Sequence, residues 1–177
     1  MCLFYILAVF FLVLTGFAAK DEQYLSITAV TTDSNDHAYL ECWRFLTAFS
    51  AYPTVGNSLA IANTTNVTYV ILPPQSAEGI HKPPHPMFFI LLSGLAHVTF
   101  PFNVEELWIR EGAESLIVAN DVNGVGHFTE YPGGKETIAL QVPFKDGIVP
   151  AHEVWEEGNK RLWEDWSESM KLRRIER

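Results

Sequence analysis

The sequence predicts an all-β protein, a single antiparallel barrel followed by one amphipathic helix, and three observations carry that prediction. Short runs rich in β-branched and aromatic residues recur between residues 67 and 144: "VTYVIL", "MFFILL", "AHVTF", "SLIVA" and "TIALQVPF". Clusters of Gly and Pro punctuate them, at Pro73-Pro74, Ser93-Gly94, Glu111-Gly112 and Pro132-Gly133-Gly134. After Pro150 the apolar spacing changes to a helical period: Trp155, Leu162, Trp166 and Met170 are seven, four and four apart.

The chain has 177 residues, is 48% hydrophobic and 13% aromatic, and can fill the core of one domain. Its first segment, "MCLFYILAVFFLVLTGFAAK", is apolar from Cys2 to Ala19 and uncharged until Lys20. That length suits either a signal-peptide core or a short membrane anchor. The small residues Gly16, Ala18 and Ala19 favour a signal cut after Ala18, although the usual preceding positive charge is missing. Residues 1–18 are therefore read as a signal peptide, with no membrane attachment after cleavage and a destination outside the cell or in the secretory lumen. Two glycosylation sequons, "NTT" at Asn63 and "NVT" at Asn66, fit that route. Cys2 would leave with the signal, so Cys42 cannot form an internal disulfide and stability must come from packing.

Residues 19–66 are read as strands and loops packing on the barrel. "AYLECWRFLTAF" is ordered by its pattern but is left open between helix and strand. Residues 67–150 form the barrel core. "MFFILL" is apolar on both faces and belongs in a covered layer rather than at an exposed edge. Residues 151–177 are the helix and a basic tail. Its stripe is expected to pack on the barrel or on a second subunit, so a homodimer is open to this chain.

The net charge of −9 argues against nucleic acid as a partner, because an acidic surface repels phosphate. There is no Gly-rich phosphate loop, HExxH or G-x-S-x-G, and one mature cysteine makes no CxxC zinc site. Histidine remains, at 37, 81, 85, 97, 127 and 152. His37 and His152 lie in polar stretches and read as surface residues. His97, alone in a strand, reads as structural. Asp121 and Glu130 flank His127 and are candidates to orient it or to act as acid–base groups, with Glu78 beside His81 a weaker one.

The stretch Gly79–Gly94, then "EGAESLIVAND", then "GVGHFTEYPGGKETIALQVPF" resembles a small single-domain cupin, over roughly Val67 to Phe144. The resemblance implies a conical jelly-roll barrel in which three histidines and a glutamate hold a divalent Fe, Mn, Ni or Zn ion. Matched position by position, His81 takes the place of the first histidine and His127 that of the last. Pro83 and Met87 stand where the second histidine and the glutamate would be, and Tyr131 where the second motif has asparagine. The resemblance thus implies metal contact and catalysis at His81 and His127.

His85 cannot complete that set in a straight strand, because four residues rise about 13 Å while two ligands of one ion each lie about 2.1 Å from it. Substrate contacts are expected from His85, Met87, Phe89 and Phe128. The implied activity is that of a secreted enzyme acting on a small organic molecule, polyketide-like if the protein serves secondary metabolism. Its reaction would be that of an oxidoreductase (dioxygenase), an isomerase or a cyclase. The alternative is a non-catalytic extracellular ligand-binding or structural protein of the same fold. N-terminal sequencing and glycan mapping of secreted material should give a chain starting near Ala19 with sugar on Asn63 or Asn66. A chain still starting at Met1 would rule out the cleavage.

Overall fold

The computed structural model describes residues 22–157. The described chain is all-β, with thirteen strands in two facing sheets and a small hairpin. The N-terminal part supplies β1 (Tyr24–Thr32), β2 (Ala38–Ala48), β3 (Ser50–Ala51) and β4 (Asn57–Ser58). Next come β5 (Thr68–Leu72), β6 (Ser76–His81), β7 (Met87–Ser93), β8 (Leu95–Thr99) and β9 (Glu106–Arg110). The chain continues through β10 (Leu116–Ala119), β11 (His127–Tyr131), β12 (Thr137–Pro143) and β13 (His152–Glu157). Helical geometry is confined, among the described residues, to one 3-10 turn at Lys145–Gly147.

Seven strands form the larger sheet in the order β13-β2-β1-β10-β7-β12-β5, and four form the smaller in the order β6-β11-β8-β9. The larger sheet is mixed: β1 runs parallel to β10, with Ala29 opposite Val118. This corrects the expected single antiparallel barrel confined to residues 67–150. The stretch left open in the sequence becomes β2, and β1 is hydrogen-bonded into the centre of the sheet rather than laid over it. The physical reason is burial on both faces. Ala29 and Val30, adjacent in β1, are 0% and 1% exposed, which only an interior strand allows.

Strand β7 shows the same double burial. Met87, Phe89 and Leu91 face the smaller sheet, while Phe88 faces the other way, as side chains alternate along a strand. Leu91 joins Val30, Leu40, Val98, Ile109 and Ile117 in the core between the sheets. Phe88 joins a second cluster with Ile27, Trp43, Phe45, Val118 and Phe144 on the far side. There it packs edge-on to Phe144, ring centroids 4.7 Å apart.

The helix expected from Trp155 is also corrected over the described residues. His152–Glu157 is strand β13, antiparallel to β2, with His152 opposite Phe45 and Val154 opposite Trp43. The open edge of β2 offers unpaired backbone groups, and pairing with them outweighs a weak helical period at the start of the segment. Side chains fasten the strand. His152 stacks on Trp43 at 3.7 Å, and the Arg44 guanidinium lies 4.8 Å from the Trp155 ring and 3.3 Å from Glu153. His152 is thus half-buried packing rather than a surface residue. Leu162, Trp166 and Met170 lie outside the described residues.

His97, read as structural, and His37, read as a surface residue, both lie outside the core. His97 faces away from the interior, stacks on Trp108 at 3.9 Å and pairs with Glu106 at 2.9 Å. His37 stacks on Phe102 at 4.3 Å. The two faces of β7 give a direct check on this architecture. Leu91→Ala should cost about 2–5 kcal/mol in denaturant unfolding, and Leu92→Ala, half-exposed one residue on, under about 1 kcal/mol. Equal losses would mean that β7 does not present these faces.

Candidate functional site

Strand β11 builds the site by alternation. His127, Thr129 and Tyr131 point inward and are 8%, 5% and 3% exposed, whereas Phe128 and Glu130 point out. The inward three line a cavity of about 370 Å³ between the two sheets. Its remaining walls are mostly apolar: Val30, Met87, Phe89, Ala96, Val98, Ile109, Ile117 and Ala119. Polar groups enter from Glu78, His81, Lys82 and Gln141.

His81 reaches the same cavity through the pairing of β6 with β11. His127 lies opposite His81, and Thr129 lies opposite Glu78. Two residues of β11 thus span three of β6, which makes a β-bulge. In a regular strand, residues 78 and 81 would face opposite sides. The extra residue turns both toward the cavity.

The seam is tight. Gly126, at φ +89°, leaves room for the His81 carbonyl, and a Cβ there would lie 2.1 Å from that oxygen. No side chain fits, so glycine fixes how closely the two histidines approach. Their rings stand edge to face with centroids 4.5 Å apart.

Each ring has its own hydrogen-bond partners. The Nδ1 of His127 lies 2.6 Å from Oδ2 of Asp121, a carboxylate with 0% exposure. The other carboxylate oxygen, Oδ1, is buried and has no hydrogen-bond partner among the described residues. Asp121 follows β10 in a segment held by Asn120, whose backbone N–H donates to the Val30 carbonyl at 2.8 Å. A carboxylate accepts, so His127 carries its proton on Nδ1 and leaves Nε2 as the basic nitrogen.

The Nδ1 of His81 lies 2.9 Å from the Gly79 carbonyl, and its Nε2 lies 3.4 Å from Oε2 of Glu78. The Tyr131 hydroxyl donates to the other Glu78 oxygen at 2.5 Å. Burial, and then the Glu78 carboxylate, hold the Tyr131 phenol well above its ordinary titration range. It therefore remains a donor at every physiological pH.

The expected contact residues separate by face. Met87 is buried and Phe89 half-buried, and both line the cavity. Phe128 does not, because it lies between two inward residues of β11. His85 does not line it either. The chain leaves β6 at His81 and bends through Pro84–Pro86 before entering β7 in the other sheet, so His85 is exposed on the connection. The prolines thus break any continuous strand from His81 to Met87. Asp121 meets His127, whereas Glu130 faces solvent. Tyr131 was missed as a site residue, although its spacing of four from His127 in a strand marks it. Asn63 and Asn66 are both exposed.

The donor set does not match the three-histidine, one-glutamate centre. Pro83 is buried and has nothing to donate, and Met87 offers only a thioether. Among the described residues no three His, Cys, Asp or Glu side chains are placed to hold one ion. What the residues form instead is a pair of imidazoles in edge-to-face contact, each with its own carboxylate beside it, at the wall of an apolar cavity. Comparisons with family models, curated proteins and solved structures find no match to this chain.

The Tyr131 phenol gives a pH signature with a fixed sign. Its folded-state value is raised, so its contribution is fully present below the unfolded value of 10.0 and is lost as pH rises above it. Stability should be flat in this respect up to about pH 9 and then fall by up to about 1.4 kcal/mol per pH unit. Tyr131→Phe should remove that part of the alkaline fall in urea melts. An alkaline limb identical in the variant would contradict the assignment.

Proposed function

We propose that the protein is a secreted cupin-type enzyme that moves a proton on a small organic molecule, as an isomerase or cyclase. The two sheets would then be the halves of a cupin-type jelly roll, a reading supported by the resemblance between Val67 and Phe144. The observation that carries the proposal is the His127–Asp121 pair at the wall of the cavity. A buried carboxylate on Nδ1 fixes the tautomer, and it stabilises the imidazolium formed when Nε2 takes a proton. The apolar walls favour a compact hydrophobic substrate and exclude water from the transfer.

No step here uses a metal, because the donors present do not make the centre that the resemblance implies. The incomplete ligand set also favours the second reading, a ligand-binding protein without turnover. Binding without proton exchange would single that reading out.

The chemistry can be read with α-tetralone, a compact bicyclic ketone, by following loss of its α-proton signal in deuterated water. The wild-type protein should accelerate exchange over buffer, and Asp121→Asn should lower that rate by about 10²-fold or more. His127→Gln should abolish it. His127→Ala would in addition leave the Asp121 charge buried and unpaired, and should lose several kcal/mol of stability. Exchange no faster than buffer, or unchanged in Asp121→Asn, would overturn the base assignment.

A further inference from the structure

We propose that His81, backed by Glu78 and Tyr131, is the acid half of the site, and that the substrate is an enolisable ketone with an apolar body. The inference rests on the proton-transfer reading of His127 and adds the second proton and the substrate class.

The two imidazoles are held differently. Nδ1 of His81 faces the Gly79 carbonyl, which can only accept, so that nitrogen carries a proton. Its Nε2 faces the Glu78 carboxylate at 3.4 Å, which also can only accept. Both ring nitrogens of His81 thus face oxygens that can only accept, Nδ1 in a hydrogen bond and Nε2 in a looser contact with Glu78 that leaves its N–H within reach of a second acceptor. His127 has one such partner, Asp121 on Nδ1, and its Nε2 is left to accept. One ring is arranged to give a proton and its neighbour, 4.5 Å away between centroids, to receive one.

Tyr131 fixes the giving side. Its hydroxyl holds Glu78 at 2.5 Å, so the carboxylate stays aimed at His81 rather than swinging into solvent. Without the bulge in β6, Glu78 and His81 could not share this face.

The fragment that addresses two such groups at once is H–C–C=O. The C–H bond breaks and its proton goes to Nε2 of His127, while the electron pair becomes the C=C bond. The carbonyl π pair moves onto oxygen, which takes the Nε2 proton of His81. The ketone becomes an enol, His127 gains one proton and His81 loses one. Where the substrate also carries a C=C beside its α-carbon the product is a dienol: the proton on His127 adds to the far carbon of that diene, the enol O–H returns its proton to Nε2 of His81, and the isomerised ketone and both starting imidazoles are recovered. No oxidant or reductant is needed. The cavity of about 370 Å³ lies at the low end of the range for small-molecule sites, about 300–1,000 Å³, which suits one or two rings.

Binding of an enolate mimic tests the acid half separately from turnover. The probes are para-nitrophenol, whose absorbance reports its ionised form, and α-tetralone, whose binding is followed by competition. Wild type should bind nitrophenol as the anion and at least tenfold more tightly than the ketone. His81→Gln should bring the two affinities within about twofold and return the bound phenol to its neutral spectrum. Glu78→Gln should leave tetralone affinity unchanged while slowing tetralone exchange about tenfold. His81→Gln sits at a partly exposed strand end, and a wild-type thermal midpoint would show that it folds. If His81→Gln keeps the anionic spectrum and the tenfold preference, the acid assignment is overturned even where exchange by His127 stands. If wild type shows that preference but no exchange, the base reading fails and the His81 assignment survives.

Discussion

The antiparallel seam between β6 and β11 is the constraint on which the site depends. It sets His127 against His81 and Thr129 against Glu78, and the bulge between those pairs puts four side chains on one face. Gly126 sets the closeness of the seam, because any larger residue would meet the His81 carbonyl. Once these backbone relations hold, the polar chemistry follows without further design. Tyr131, two positions beyond Thr129, necessarily points the same way and reaches Glu78. The smaller sheet therefore carries most of the polar groups of the candidate site. The larger sheet supplies the apolar wall opposite, through Val30, Met87, Phe89 and Ile117.

Asp121 shows what the fold gives up to hold this arrangement. Removing a carboxylate from water costs several kcal/mol unless a charge or hydrogen bonds compensate it. Here one oxygen is matched by His127 and the other has no partner among the described residues. Structural stability alone would be served as well by an apolar residue of similar size. A buried acceptor left half satisfied beside an imidazole is understandable as an electrostatic device. It would strengthen as the ring becomes positive, the state that the proposed proton transfer would reach. By contrast, the His97–Glu106 pair lies on the outer face with Glu106 open to solvent, and carries no such tension.

Much of this was legible in the sequence, and the failures have definite causes. The runs "MFFILL" and "TIALQVPF" are strands because their branched and aromatic residues meet Gly and Pro at both ends. The inward placing of His127 came from the cupin resemblance; its own strand "HFTEY" does not alternate by polarity, which is why Phe128, on the outer face, was expected at the site as well. β1 and β2 resisted because "YLSITAVTT" and "AYLECWRFLTA" mix polar and apolar residues, and their strand character comes from partners in the sheet. Glu78 was undervalued because a bulge is a register event between two strands, and one strand's sequence does not reveal it. His85, expected among the substrate contacts, lies exposed on the connection because the three prolines around it end the strand before it. Trp155 fitted a helical period, yet the unpaired edge of β2 supplied a competing partner that periodicity does not see.

The proline-rich connection between β6 and β7 ties these observations together. It carries the chain from the smaller sheet to the larger one, and Lys82, Pro83 and Pro84 along it line the cavity. Proline fixes its own φ and restricts the residue before it, so this crossing has few alternative conformations to lose when a ligand binds. The segment begins at His81, whose ring orientation the site needs, and ends at Met87, whose side chain forms part of the wall. A flexible crossing would let β6 slip against β11, and a slip of one residue would turn His81 out of the cavity. The backbone N–H of Phe144 donates to the Pro86 carbonyl at 3.0 Å, which anchors the far end of the crossing to the end of β12. The prolines thus serve the histidine rather than replace it, holding one half of the pair in register while Asp121 holds the other.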